Sequence, residues 1–151
     1  MKFDDKLTDV MTAAGLNLIA QALTIYDADL RLVLCNAPFQ QMFDLPKALV
    51  TPGASFEETI THLARSGEYG DVADVKAFVA ERVLQARAFE PHYMERTRAN
   101  GRTISVEGSP LPQGGWVTVY TDISRTKQQE ALLRARSDAL SGQVLAHAEE
   151  L

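Results

Sequence analysis

Three histidines, one cysteine and twenty acidic residues are the groups in this chain that could bind a metal, move a proton or attack a substrate. His62, His92 and His147 lie far apart, and no spacing of His, Cys, Asp or Glu matches a metal-ligand motif. The lone Cys35 excludes an internal disulfide and a multi-cysteine metal site. In an apolar, β-rich run such a thiol is a packing group before it is a redox sensor. No Ser/His/Asp cluster or carboxylate pair stands out, because the acidic residues fall mainly at helix caps and turns. His147 is followed by Ala148-Glu149-Glu150, not by the acidic residue and later proline of a phospho-acceptor motif. The residue types therefore predict no catalytic residue, no metal site and no enzymatic activity for this chain.

Gly114-Gly115 opens a β-branched and aromatic run, Trp116 to Thr121, which ends on Asp122-Ile123-Ser124 and passes without a loop into a charged helical pattern. A strand continuous with a long helix is mechanical wiring, since movement of the sheet must move the helix. The helix, read over 124–151, would reach about 42 Å at 1.5 Å per residue. Ile123, Leu133, Leu140, Val144 and Leu151 fall on heptad positions, interrupted by Glu130, Ser137 and His147. That seam suits a marginal parallel coiled coil, softened by Ser141-Gly142.

Length and composition bound the rest. A chain of 151 residues holds one domain plus an appendage, and 46% hydrophobic with 23% charged residues is ordinary globular composition. The net charge of −5 argues against a nucleic-acid surface. No run approaches the roughly 18 apolar residues of a membrane span. Met1-Lys2-Phe3-Asp4-Asp5 lacks the apolar stretch of a secretory signal, which makes the cytoplasm the expected compartment.

Apolar spacing predicts an amphipathic helix over about 4–14, punctuated by Gly15. Strands follow at 23–26 and 30–35, joined by Asp27-Ala28-Asp29. Asn36 caps a short helix that Leu45-Pro46 stops. Ser55 with Glu58 forms a capping box for a helix to about Ser66, and Asp71 or Asp74 caps a longer one ending near Phe89-Glu90-Pro91. Strands at 92–98 and 103–111 flank Asn100-Gly101, a strong hairpin signal, before the last strand at 116–121. Two strands, a helical excursion and three meandering strands predict an α+β fold: an antiparallel sheet with helices on one side.

In this order the residues resemble a PAS domain, of the kind found at the front of bacterial sensor histidine kinases and some cyclic-di-GMP enzymes. The resemblance runs from about Leu16 to Ser124. It is carried by Ile25-Tyr26-Asp27-Ala28-Asp29-Leu30-Arg31-Leu32-Val33, then Asn36 with Phe39 and Phe43, Pro52-Gly53 and Gly67-Glu68-Tyr69-Gly70. Glu95 to Arg102 and Thr121-Asp122-Ile123-Ser124 complete it. Two departures are Cys35, where the family usually has an aromatic residue, and Ala20-Gln21-Ala22 in place of Pro-Gln-Gly. The resemblance implies a five-stranded antiparallel sheet. It divides the chain into a dimerisation helix (1–15), a sensory domain (16–123) and a linker or coiled-coil helix (124–151).

The same resemblance implies where function would reside. Asp122 would cap the exit helix and pair with Arg98 or Arg102, so Asp122, Ile123, Arg98 and Arg102 are the expected relay. A ligand pocket would lie between sheet and helices, with Ile25, Leu34, Phe43, Phe56, Ile60, Phe78, Met94, Val106 and Trp116 as one alternating set of lining residues. A slip of one residue would reverse that set. Phe3, Leu7, Val10, Met11, Leu133, Leu140 and Val144 would form the interface of a homodimer. Flavin is disfavoured, because the helix at 55–66 has no cysteine, and haem because the helix at 71–89 has no histidine. No cofactor is expected, although an unknown small ligand fits the family. The implied function is a sensory and dimerisation module acting on an output domain beyond Leu151, first a histidine kinase of a two-component system, with a diguanylate cyclase or a ligand-free dimerisation spacer as alternatives.

Overall fold

The computed structural model describes residues 5–17 and 20–149, with side chains along the last helix to residue 142. Helix α1 spans Asp5–Asn17 and is followed by β1 (Ala22–Tyr26) and β2 (Leu32–Cys35). Helix α2 (Ala37–Phe43), a 3-10 turn (Lys47–Val50), α3 (Phe56–Arg65) and α4 (Val75–Arg87) form the helical excursion. Strands β3 (His92–Thr97), β4 (Thr103–Pro110) and β5 (Trp116–Asp122) return to the sheet, and α5 (Ser124–Glu149) leaves it. The five strands are antiparallel in the order β2-β1-β5-β4-β3, so the sheet and its covering helices form the expected α+β fold.

Local chemistry sets the helix starts. Asn36, Ser55 and Asp74 each accept a hydrogen bond from the backbone N–H three residues on, at 3.2, 3.0 and 3.1 Å. Asn36 also accepts from the Leu23 N–H at 2.9 Å and donates to the Gln21 carbonyl at 2.8 Å, so one buried side chain ties β1 to the start of α2. Helix α1 runs through Gly15 to Asn17 instead of ending there, since an interior glycine weakens a helix by only about 1 kcal/mol. Leu7, Val10 and Met11 on α1 are exposed, and Phe3 lies outside the described residues. The hairpin at Asn100-Gly101 is wider than a two-residue turn. Its last ladder pair is Thr97–Thr103, and Gly101 takes a φ of 86° in the loop.

The core lies between the sheet and the helices. Phe39 and Phe43 of α2, Ile60 and Leu63 of α3 and Val79 of α4 pack with Ala22, Ile104 and Val106 from the strands. Alternation along β1 buries Ala22, Thr24 and Tyr26 on this inner face. Ile25 therefore points to the outer face, and its ladder partner Leu34 points there with it. The ladder slips between Ile25 and Tyr26, and beyond the slip Leu32 pairs with Tyr26 and is buried.

The turn from β4 to β5 passes close to β1. Gly115 has a φ of 99°, and a Cβ there would sit 2.6 Å from the Tyr26 carbonyl oxygen. Gly115→Ala thus combines a left-handed backbone with a collision against main chain, and it is expected to cost about 1–3 kcal/mol. Urea unfolding of the two proteins would measure the loss; equal midpoints would contradict the tight β1–β5 approach.

Candidate functional site

Three polar assemblies join the sheet to its surroundings. The first is the junction of β5 and α5. Asp122 Oδ2 accepts from Arg102 Nε at 2.8 Å, and its Oδ1 accepts from the Ser124 N–H at 2.9 Å. The buried Ser124 hydroxyl accepts from the Thr103 N–H at 2.9 Å and lies 3.4 Å from the Thr103 carbonyl, which also accepts the Ile123 N–H at 2.9 Å. One turn on, Lys127 Nζ meets Glu95 Oε1 at 2.6 Å, and Tyr93 donates its hydroxyl hydrogen to the same carboxylate. The first turn of α5 is thus bolted to the β3–β4 edge by backbone, hydroxyl and charge together.

Partial burial pushes the Asp122 carboxyl up, but the Arg102 guanidinium and the Ser124 N–H and hydroxyl more than offset it. The group titrates at about 2, below its ordinary 3.8. A depressed carboxylate contributes stability that is fully present above its unfolded pKa and is lost as pH falls through the folded one.

The second assembly centres on Glu68, between Gly67 and Gly70, whose φ values are 86° and 76°. Its carboxylate accepts from Arg98 Nε at 3.1 and 3.0 Å, Arg98 Nη2 at 2.8 Å and Arg96 Nη1 at 3.0 Å. Arg98 Nη2 also donates to the Met42 carbonyl at 2.8 Å. Side-chain exposures of 9% for Glu68 and 11% for Arg98 make this a buried ion cluster, in which neither charge can turn to water. Arg98 is therefore engaged by Glu68, and Arg102 alone of the two expected partners reaches Asp122. The pattern Gly-Glu-x-Gly with Arg-x-Arg at the end of β3 is the available signal for this cluster, and Ser124 directly after Asp-Ile is the signal for the helix anchor.

The third assembly is a cavity of about 390 Å³ between the sheet and α3 and α4. The strands supply His92, Met94, Arg96, Val106, Trp116, Thr118 and Tyr120; Phe56, Ile60 and Tyr69 close one side. Arg82, Gln85, Ala86, Glu90 and Pro91, from α4 and the segment after it, close the other. Of the expected lining, Phe56, Ile60, Met94, Val106 and Trp116 come together here. Phe43 and Phe78 belong to the neighbouring core, whereas Ile25 and Leu34 lie on the far side of the sheet. Thr118 and Tyr120 follow from Trp116 by the pleat alone; Arg82 and Gln85 required knowledge of how α4 docks. Burial pushes the Tyr69 phenol up and the Tyr120 phenol further, so both hydroxyls stay protonated near neutrality.

Cys35 turns inward on β2, with Sγ donating to the Val50 carbonyl at 3.6 Å. Burial pushes its thiol up, which disfavours the reactive thiolate. His92 stacks on Trp116 at 5.4 Å and 15°, and His62 is half-buried on α3. Among the described residues no three of His, Cys, Asp and Glu gather as a metal site, and no helix is long and apolar enough to cross a membrane. Leu133 and Leu140 are exposed on α5, while the side chain of Val144 lies outside those described.

A sheet with this strand order, a helical excursion on its inner face and a helix leaving its central strand define a class of sensory module. A family model described as the PAS fold matches residues 16–131, and the chain belongs to that family, whose domains are generally non-catalytic. It is 26% identical over 126 residues to the Sensor protein DivL of Caulobacter vibrioides, a match covering 83% of this chain and 16% of that protein. The chain therefore spans about a sixth of the length of this curated relative. Among solved structures it is similar to the PAS domain of Bordetella pertussis BvgS, with a TM-score of 0.58, 17% identity and coverage of 89% and 99% of the two chains. The phage VqmA–DPO complex matches with a TM-score of 0.53, 18% identity and coverage of 90% and 61%.

Two outcomes are expected. Glu68→Gln leaves two guanidinium groups short of their counter-charge and should cost about 3–5 kcal/mol in urea unfolding; a loss below about 1 kcal/mol would mean that solvent reaches the cluster. Asp122→Asn should lower the melting temperature above about pH 4, with the difference from the parent closing as pH falls from 3.8 towards 2. A gap that stays constant over that range would assign the effect to shape rather than charge.

Proposed function

We propose that this chain is the sensory and dimerising part of a longer cytoplasmic signalling protein, which passes a change in its sheet through α5 to a following output domain. The output that best suits such a module is a histidine kinase of a two-component system. In this reading residues 1–15 form a dimerisation helix, 16–123 the sensory domain and 124–151 the transmitting helix. The observation that carries the proposal is the contrast along α5. Its first turn is held by Asp122, Ser124 and Lys127, yet every described side chain from 128 to 142 is exposed, Leu132, Leu133 and Leu140 among them. A 26-residue helix of about 39 Å that leaves its domain with a leucine seam uncovered matches a helix awaiting its copy from a second subunit. The likeness to a much longer sensor protein supports the existence of a linked output. The cavity favours a sensory role over a ligand-free spacer.

Sedimentation of the purified chain over a range of concentrations is expected to show a reversible dimer, weakened at least about tenfold by Leu140→Asp, a change of some 1.4 kcal/mol. Spin labels on Arg134→Cys, in a Cys35→Ala background, should report one short inter-subunit distance that Asp122→Ala broadens without abolishing the dimer. A chain that stays monomeric throughout, or label distances indifferent to Asp122, would defeat the relay.

A further inference from the structure

The cavity is not uniformly apolar, and the way its charges are satisfied points to a ligand class. Two guanidinium groups line it. Arg96 pairs with Glu68 at 3.0 Å, a carboxylate it shares with Arg98. Arg82, half-buried on α4, lies with its guanidinium carbon 5.4 Å from the Tyr69 ring centre and 5.0 Å from that of Phe78. Among the described residues it has no carboxylate at ion-pair distance and no hydrogen-bond acceptor. Ring faces hold such a cation in place but do not satisfy the N–H donors at its edge. Glu90, the one acidic residue lining the cavity, is exposed to solvent. Tyr69 and Tyr120 keep their protons and add no negative charge.

The wall that runs across the strands is aromatic, and the sequence makes room for it. Gly108 faces the cavity side of β4, where a Cβ would come within 2.3 Å of Trp116 Cζ2 and 2.8 Å of His92 Cε1. Without a side chain at that position, the indole lies across β4 and the His92 imidazole stacks on it at 15°. The indole N–H is already used, donating to Thr118 Oγ1 at 2.9 Å, so Trp116 offers its flat surface and not a donor. Phe56, Tyr69 and Tyr120 line the remaining space with aromatic surface. At about 390 Å³ the cavity falls in the range of small-molecule sites, about 300–1,000 Å³.

We infer that the cavity binds a small aromatic carboxylate, its ring against the Trp116 wall and its carboxylate on the Arg82 fork. This assignment rests on the sensory reading above and names the chemical class of the signal. One unpaired fork matches one carboxylate in bidentate geometry, whereas inorganic phosphate has no flat apolar face to set against the aromatic walls. A long aliphatic acid would satisfy Arg82 but gain nothing from stacked aromatic walls.

The test uses the unaltered protein and its single tryptophan, Trp116, as reporter. Benzoate and indole-3-acetate are titrated against their neutral amides, benzamide and indole-3-acetamide, with decanoate and inorganic phosphate as further arms. The expected result is that one or both aromatic acids change Trp116 fluorescence and raise the melting temperature at concentrations below about 1 mM, with each amide at least about tenfold weaker. Arg82→Gln should abolish the preference for acid over amide, while Arg87→Gln, on the same helix but outside the cavity lining, keeps it. The acid–amide comparison stands alone if Arg82→Gln folds poorly. Amides binding as well as acids, preference for decanoate or phosphate, or no binding by any aromatic acid would overturn the assignment. Each of those results leaves the dimer and label measurements free to succeed, so failure of the ligand class is distinct from failure of the relay.

Discussion

Strand β5 is the last strand in the chain and the middle strand of the sheet, hydrogen-bonded to β1 along one edge and to β4 along the other. That placement constrains everything around it. A central strand cannot slide without shearing two ladders, so a displacement imposed on β5 must involve the sheet as a whole. Helix α5 begins two residues beyond its last ladder pair, Ile104–Asp122, with its start bonded to Thr103 of the neighbouring strand. The helix is an extension of the sheet's centre.

The cavity and the junction lie along the same strands. Arg96 lines the cavity from β3 and Arg98 follows just past the end of that strand, both held by Glu68. The hairpin that starts at Arg98 ends at Arg102, which holds Asp122. On the opposite face of β3, Glu95 takes Lys127 from α5. One strand therefore carries a wall of the cavity on its inner side and an anchor of the exit helix on its outer side. The Glu68 cluster is largely closed to solvent, and the junction is more open, with Arg102 54% exposed.

Local signals in the sequence were readable where one side chain completes one local bond. Asn36, Ser55 and Asp74 cap their helices because each needs only a backbone N–H three residues away. Period-two alternation identified the strands, and the change of period after Ile123 located α5. Alternation by itself does not say which set of residues faces the helices. Ile25 and Leu34 were grouped with Trp116, yet the ladder puts them on the other side, and the slip beside Tyr26 shows how one extra residue decides the matter. The family resemblance offers Arg98 or Arg102 as the partner of Asp122. The carboxylate of Glu68, thirty residues earlier, claimed Arg98 instead, and no local rule anticipates that pairing.

From the order of its residues alone, this chain determines its helices, its strands, the uninterrupted passage from the last strand into a helix, and its family. Those properties depend on interactions within a few residues or on repeats along one element. Only the tertiary structure decided which face of each strand looks inward, that Glu68 holds two arginines, and that Arg82 stands over a cavity without a counter-charge. Each of those depends on groups brought together from distant segments, and packing, not sequence spacing, sets the distance between them.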